Sequence, residues 1–269
     1  MAARLLYLSA AVAAALAVPQ APFQRPFVDA GRLGTITAPP PPNLGGVETS
    51  TYTPTSPAVA LKMAFSSSNS PDVLVPLTLG VMSQCPDAIY CESVMNEVLD
   101  EVGSIVSLGL TFIGTPNASE PEWGVTCKHG RTECAANVLE LCAIAIEPPP
   151  PTDEGASWRP AWWDFVLCNN GAGRYGVGEP EVAAACAMKT GIALDRVMEC
   201  VNSDWGRRLH LESIKTAESL GIAKSCTILI NGKVACLRDD HSWKDCKGGS
   251  KVNDFVRAIR KEHDVLNAS

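Results

Sequence analysis

The cysteines are the residues whose types and spacing could do chemistry in this chain. Residues 83–91 read SQCPDAIYC and follow directly on the apolar run VLVPLTLGVM, Val73 to Met82. Pro86 suits the first position of a helix, so Cys85 falls at its N-cap, where the positive helix end stabilises a thiolate. Asp87 works against this, because a nearby negative charge disfavours a second one. In thiol–disulfide exchange one thiolate attacks and a second thiol resolves the mixed disulfide. Positions i and i+3 of a helix suit that division of labour, with Cα atoms about 5 Å apart. Here position i+3 is Ala88, and the next cysteine is Cys91. In a regular helix Cys85 and Cys91 would be roughly 10 Å apart and point to different sides.

Composition sets the surroundings. The chain has 269 residues, 46% of them hydrophobic and 19% charged, enough for one large domain or two small ones. A net charge of −7 argues against nucleic acid or an anionic membrane as partner. The 11 cysteines point to an oxidising compartment. Met1 to Arg4 followed by the apolar Leu5 to Ala17 reads as a secretory signal peptide over 1–17, with Ala15-Leu16-Ala17 as cleavage site. No later apolar run approaches the ~20 residues of a membrane span. Residues 18–70 are rich in Pro, Ser and Thr and read as a disordered stalk. Asn117 and Asn267 each open an Asn-Ala-Ser sequon and are candidate glycosylation sites.

The elements that must position the cysteines follow from periodicity. Val73 to Met82 and Ile105 to Ile113 read as strands, and Ala88 to Val102 between them as a helix. Helices are expected over Thr132 to Ile146, Trp158 to Cys168, Glu179 to Thr190, Ala193 to Asn202 and Ser203 to Leu220, with Pro148 to Pro151 in a linker. Thr227 to Ile230 and Lys233 to Leu237 flank Asn231-Gly232, a strong hairpin signal. Val252 to Glu262 closes as an amphipathic helix. The expected architecture is α/β: a thioredoxin-like fold over 71–264 with a disulfide-stapled helical insertion at about 123–221.

Three further stretches carry cysteines. CKHGRTECAANVLELC, Cys127 to Cys142, has the form C-x-H-G-x-x-E-C-x-x-N-x-x-x-x-C; CAMKTGIALDRVMEC spans Cys186 to Cys200; SCTILINGKVAC holds Cys226 and Cys236. Cys127, His129, Cys134 and Cys142 could be read as zinc ligands. In an exported, cysteine-rich chain disulfides are the better reading, and no metal or other cofactor is expected. Cys134 and Cys142 lie about 12 Å apart along one helix face and cannot pair with each other. We therefore read Cys127, Cys134, Cys142, Cys168, Cys186, Cys200, Cys236 and Cys246 as structural.

In these stretches the sequence resembles the gamma-interferon-inducible lysosomal thiol reductase family, its fungal members most closely. The first stretch matches that family's signature at every fixed position, with Lys128 where glutamine is usual. The resemblance covers roughly Val73 to Cys236. It implies a thiol–disulfide oxidoreductase, secreted or in a lysosomal or vacuolar lumen, acting on disulfide-containing proteins or small thiols. It also implies a C-x-x-C pair, which Ala88 interrupts. Aligning on the Asn-Gly turn puts Cys226 where related folds carry a cis-proline, and a trans bond is expected before it. A Cys85–Cys226 pair would then build the resolving arrangement across the site. The residue reading gives Cys85 as nucleophile with Cys91 or Cys226 resolving. The alternative is a catalytically silent, disulfide-stapled binding module.

Overall fold

The computed structural model describes residues 72–147 and 159–268. The expected signal peptide, the expected stalk and the Pro148 to Pro151 linker lie outside the described residues.

The strand β1 (Val75–Val81) buries its apolar side chains, and β2 (Val106–Phe112) lies parallel to it with Val75 opposite Val106. Parallel neighbours need a crossover. It is supplied by α1 (Pro86–Val102) and one 3-10 turn, Gly103–Ile105. The strand β5 (Thr227–Ile230) pairs antiparallel with the other edge of β1, Leu79 facing Ile228. A two-residue turn leads from it into β6 (Lys233–Asp239). Asn231 and Gly232 there have φ of 47° and 72°, the double positive φ that a type I′ hairpin requires. A short edge strand, β7 (Ser242–Lys244), extends the sheet to the order β2-β1-β5-β6-β7, and α7 (Val252–Leu266) returns across β1 and β5. A βαβ unit followed by an antiparallel ββα unit in this strand order is the thioredoxin-like fold.

Between the two units lie α2 (Arg131–Ile146), α3 (Ala161–Asn170), α4 (Pro180–Thr190), α5 (Leu194–Val201) and α6 (Asp204–Ser219). Helix α2 is the hub, packing on α3, α5 and α6. Cys142–Cys200 ties α2 to α5, and Cys168–Cys186 ties α3 to α4. Gly206 at the start of α6 lets that helix pass close: a Cβ there would lie 2.6 Å from the Cys200 carbonyl oxygen and 3.3 Å from Cys142 Sγ.

Helix α6, which the sequence reading places inside the insertion, packs directly on β2. Ser213 Oγ accepts from the Phe112 backbone N–H at 2.8 Å, and the Thr111 hydroxyl donates to the Ser213 carbonyl at 2.9 Å. On β5, Leu229 packs with Ala217 and Ile222 while Ile228 and Ile230 join the main core. Since strand side chains alternate between faces, α6 covers one face of the sheet and α1 with α7 the other. A two-stranded ribbon, β3 (Thr115–Pro116) with β4 (Val125–Thr126), completes the fold and carries the chain from β2 to the disulfide-bonded start of α2.

Candidate functional site

Cys85 is the N-cap of α1 in extended conformation, φ −85° and ψ 123°, with Pro86 next to it. The turn into the helix is closed by the Cys85 N–H donating to the Met82 carbonyl at 2.9 Å. Only 7% of Cys85 is exposed, and that part lines a cleft of about 410 Å³. It is the single free cysteine; the other ten form five bridges.

The opposite wall is the start of β5. The Ser225–Cys226 peptide is cis, where a trans bond was the expectation. Cys226 is held in place by mutual backbone hydrogen bonds with Arg238, both 2.8 Å, and Ser225 Oγ accepts from the Met82 N–H at 3.1 Å. The sulfur beside Cys85 does not pair with it. Cys226 is bridged to Cys91, with Cα atoms 6.3 Å apart, and both are fully buried. The reason is helical geometry. Cys91 lies well over a turn deeper in α1, packed in the core, while Cys85 at the helix tip faces the cleft. Cys85 Sγ instead has the Ser225 carbonyl oxygen at 3.9 Å.

The charge pattern around Cys85 also differs from the sequence reading. Asp87, read as an unopposed negative charge, lies 3.2 Å from Arg238 Nε and accepts from the His241 N–H at 3.0 Å. The Arg238 guanidinium in turn lies over the Tyr90 ring at 4.2 Å and near the Trp243 ring at 5.4 Å. Asp239, at the far rim, bonds Lys224 and Lys244, each at 2.8 Å, and those two bonds hold its carboxyl down at about 2. Lys128 projects from the near rim, exposed to solvent. Two carboxylates, Asp87 and Asp239, thus face four cations around the cleft: Arg238, Lys224, Lys244 and Lys128.

The stretch from Cys127 to Cys142 serves as the scaffold for the two residues ahead of Cys85. Asn137 Oδ1 accepts from the Ser83 N–H at 3.1 Å, and the Ser83 hydroxyl donates to the Glu133 carbonyl at 3.3 Å. The Thr132 hydroxyl donates to Gln84 Oε1 at 3.1 Å, and Gln84 Nε2 donates to the Val177 carbonyl at 3.3 Å. Glu133 is fully buried, accepts from the His129 N–H at 3.2 Å and pairs with His129 Nδ1. Cys127 and Cys134 are bridged to each other, closing this loop on the first turn of α2. Asn137 Nδ2 reaches Cys127 Sγ at 3.7 Å and lies 3.4 Å from Nε2 of His210, which burial keeps neutral by lowering its pKa to about 4. Asn137 and Arg238 are the positioning groups that residue reasoning did not assign. The motif marks the first, and nothing local marks the second.

The remaining cysteines lie away from the cleft: Cys142–Cys200 and Cys168–Cys186 in the helical region, and Cys236–Cys246 between β6 and the turn after β7. Among the described residues no group of three or more His, Cys, Asp or Glu could hold a metal ion. No described helix is long and apolar enough to cross a membrane. The candidate glycosylation asparagines both use their amides. Asn117 Nδ2 donates to Thr126 Oγ1 at 2.9 Å. Asn267 Nδ2 donates to the Val73 and His263 carbonyls at 3.1 and 2.9 Å, pinning the start of the fold to the end of α7.

A thioredoxin-like fold with a free cysteine at the tip of the helix after its first strand defines a thiol oxidoreductase. The family model for Gamma interferon inducible lysosomal thiol reductase (GILT) matches residues 76–190, and this match supports the resemblance to that family. No curated protein matches it in sequence. Solved structures with a similar course of chain include oxidised BdbD from Bacillus subtilis, at TM-score 0.49 and 14% identity over 71% of this chain and 88% of that one. DsbA from Pseudomonas aeruginosa gives 0.42 and 12%, over 73% and 88% of the two chains. Oxidoreductase DsbA from Xylella fastidiosa gives 0.43 and 13%, also over 73% and 88%.

Proposed function

We propose that this protein reduces protein disulfides through Cys85, in a secreted, lysosomal or vacuolar setting, with small thiols as the source of electrons. One observation carries the reading: the single unbridged sulfur of the fold sits at the N-terminus of α1 and opens into the cleft. The thiolate attacks one sulfur of a substrate disulfide; the new bond joins Cys85 to that sulfur, and the other leaves as a thiolate and takes up a proton. Ser225 lines one side of the cleft, and the Cys127–Cys134 loop borders the other.

Position 88 is a fully buried alanine, so α1 offers no neighbouring thiol to resolve the mixed disulfide. The same absence, with Cys85 only 7% exposed, is what favours the alternative reading as a silent binding module. Disulfide reduction on an insulin-type substrate, with excess small thiol, separates the two. Cys85→Ser is expected to bring turnover down to the rate of the thiol alone, a fall of about tenfold or more. Wild type no faster than thiol alone would leave the binding module as the function.

A further inference from the structure

We propose that the Cys91–Cys226 bridge is the electron store of this site, and that Cys85 is the port through which it is opened and closed. This rests on the reading of Cys85 as the nucleophile. Three placements carry it. Cys91 and Cys226 are both fully buried, so no dissolved thiol reaches their bond directly. Cys85 Sγ lies 3.9 Å from the carbonyl oxygen of Ser225, the group that leads into Cys226, and it is the partly exposed sulfur of the three. Ala88, between Cys85 and Cys91 on α1, ends at Cβ and puts no longer side chain between them. A helix-tip thiol thus adjoins a buried disulfide that joins its own helix to the facing strand. The Cys127–Cys134 bridge also borders the cleft, but the polar contact of Cys85 Sγ is to Ser225, which leads to Cys226 instead.

Each step is an exchange of one disulfide for another. In loading, the Cys85 thiolate attacks Cys226 Sγ; the Cys85–Cys226 bond forms, the Cys91–Cys226 bond breaks, and Cys91 leaves and is protonated. A low-molecular-weight thiol then attacks Cys85 Sγ and frees Cys226. A second molecule of the thiol takes the first as a small disulfide and restores the Cys85 thiolate. The bridge has become two thiols, and two small thiols have become one disulfide. In discharge, Cys85 attacks the substrate disulfide and one substrate thiol leaves. Cys226 attacks Cys85 Sγ and releases the other. Cys91 then attacks Cys226, expels the Cys85 thiolate and restores the bridge seen in the structure. Two electrons pass from the buried pair to the substrate. The work that a C-x-x-C pair does along one helix is here done across a helix and a strand.

The test uses the full chain and needs no substrate. Wild type and Cys85→Ser are treated with dithiothreitol, quenched by alkylation at intervals, and their bridges mapped by mass spectrometry. Cys85→Ser removes no bridge, so its fold is kept. The expected result is that Cys91–Cys226 opens about tenfold or more slowly in the variant, while Cys142–Cys200 opens at one rate in both. A second arm equilibrates Cys91→Ser with oxidised and reduced glutathione, where a Cys85–Cys226 bond is expected to accumulate. Equal opening rates in the first arm, or no Cys85–Cys226 bond in the second, overturn the relay. If Cys85→Ser also lacks reductase activity, the nucleophile stands and the relay alone falls. If it keeps that activity, both readings fall together.

Discussion

Removing the Cys142–Cys200 bridge by Cys142→Ala with Cys200→Ala is expected to cost about 4 kcal/mol, and removing Cys127–Cys134 in the same way about half as much. Both estimates follow from the chain closed by each bridge. Cys142 and Cys200 are 58 residues apart and Cys127 and Cys134 only seven, so the first bridge removes far more freedom from the unfolded chain. Packing adds to the difference. Cys142 is fully buried where α6 crosses at Gly206, so alanine there also leaves a void. Against a typical domain stability of ~5–15 kcal/mol, the larger loss endangers folding. Denaturant titration of the two double variants checks the ranking, with secretion yield as a second readout. Equal losses would show that loop closure is not what these bridges supply, and no loss from either would show that they do not form.

The apolar run of the first strand, the Asn231-Gly232 turn and the apolar stripes of the long helices were legible in the sequence because each is a local signal. The ribbon β3–β4 and the edge strand β7 were not: with two or three residues each, they have no period to read. At the site, the helix-tip placement of Cys85 could be derived from Pro86 and the strand before it. Its surroundings could not, because they are assembled from distant chain. Asp87 meets Arg238, and Cys91 meets Cys226 across 135 residues. Residue reasoning treated Cys91 and Cys226 as rival partners for Cys85, whereas the fold joins them to each other. The Cys127 to Cys142 stretch was legible as a signature but not as a scaffold, since nothing in it reveals that Asn137 and Thr132 reach Ser83 and Gln84. Buried carboxylates were invisible for the same reason. Helix α2 is covered on nearly all sides, so a residue off its apolar stripe, such as Glu140, is buried where the pattern alone would place it in solvent.

Stability is expected to fall as the pH rises from about 5 to about 8, at up to ~1.4 kcal/mol per pH unit for each extra proton that the folded state retains. The groups responsible are Glu92 on α1 and Glu140 on α2, both almost wholly buried. Burial raises Glu92 from 4.5 to about 7, and the hydrogen bond that Asn170 Nδ2 donates to its carboxylate at 2.7 Å offsets only part of this. Burial likewise pushes Glu140 well above the carboxylate range, and the charge on Glu92 pushes it further; its Oε1 has no hydrogen-bond partner. A raised carboxyl favours the fold fully below its unfolded value, and that contribution is lost as the pH climbs through the folded one. His210 has the opposite sign. Lowered from 6.5 to about 4 by burial, it contributes above 6.5 and loses that contribution as the pH falls through 4. The windows of Glu92 and His210 overlap with opposite signs, so His210 offsets part of what Glu92 contributes. Glu140 acts in the same direction as Glu92 and adds to the slope. Glu140→Gln removes its ionisation at nearly constant volume, and should raise the melting temperature at pH 8 while changing it little at pH 5. Glu92→Gln keeps an acceptor for Asn170 and should act in the same direction. Melting curves for wild type and Glu140→Gln between pH 5 and 8 decide the matter: profiles that run parallel would show that the buried acids do not govern stability.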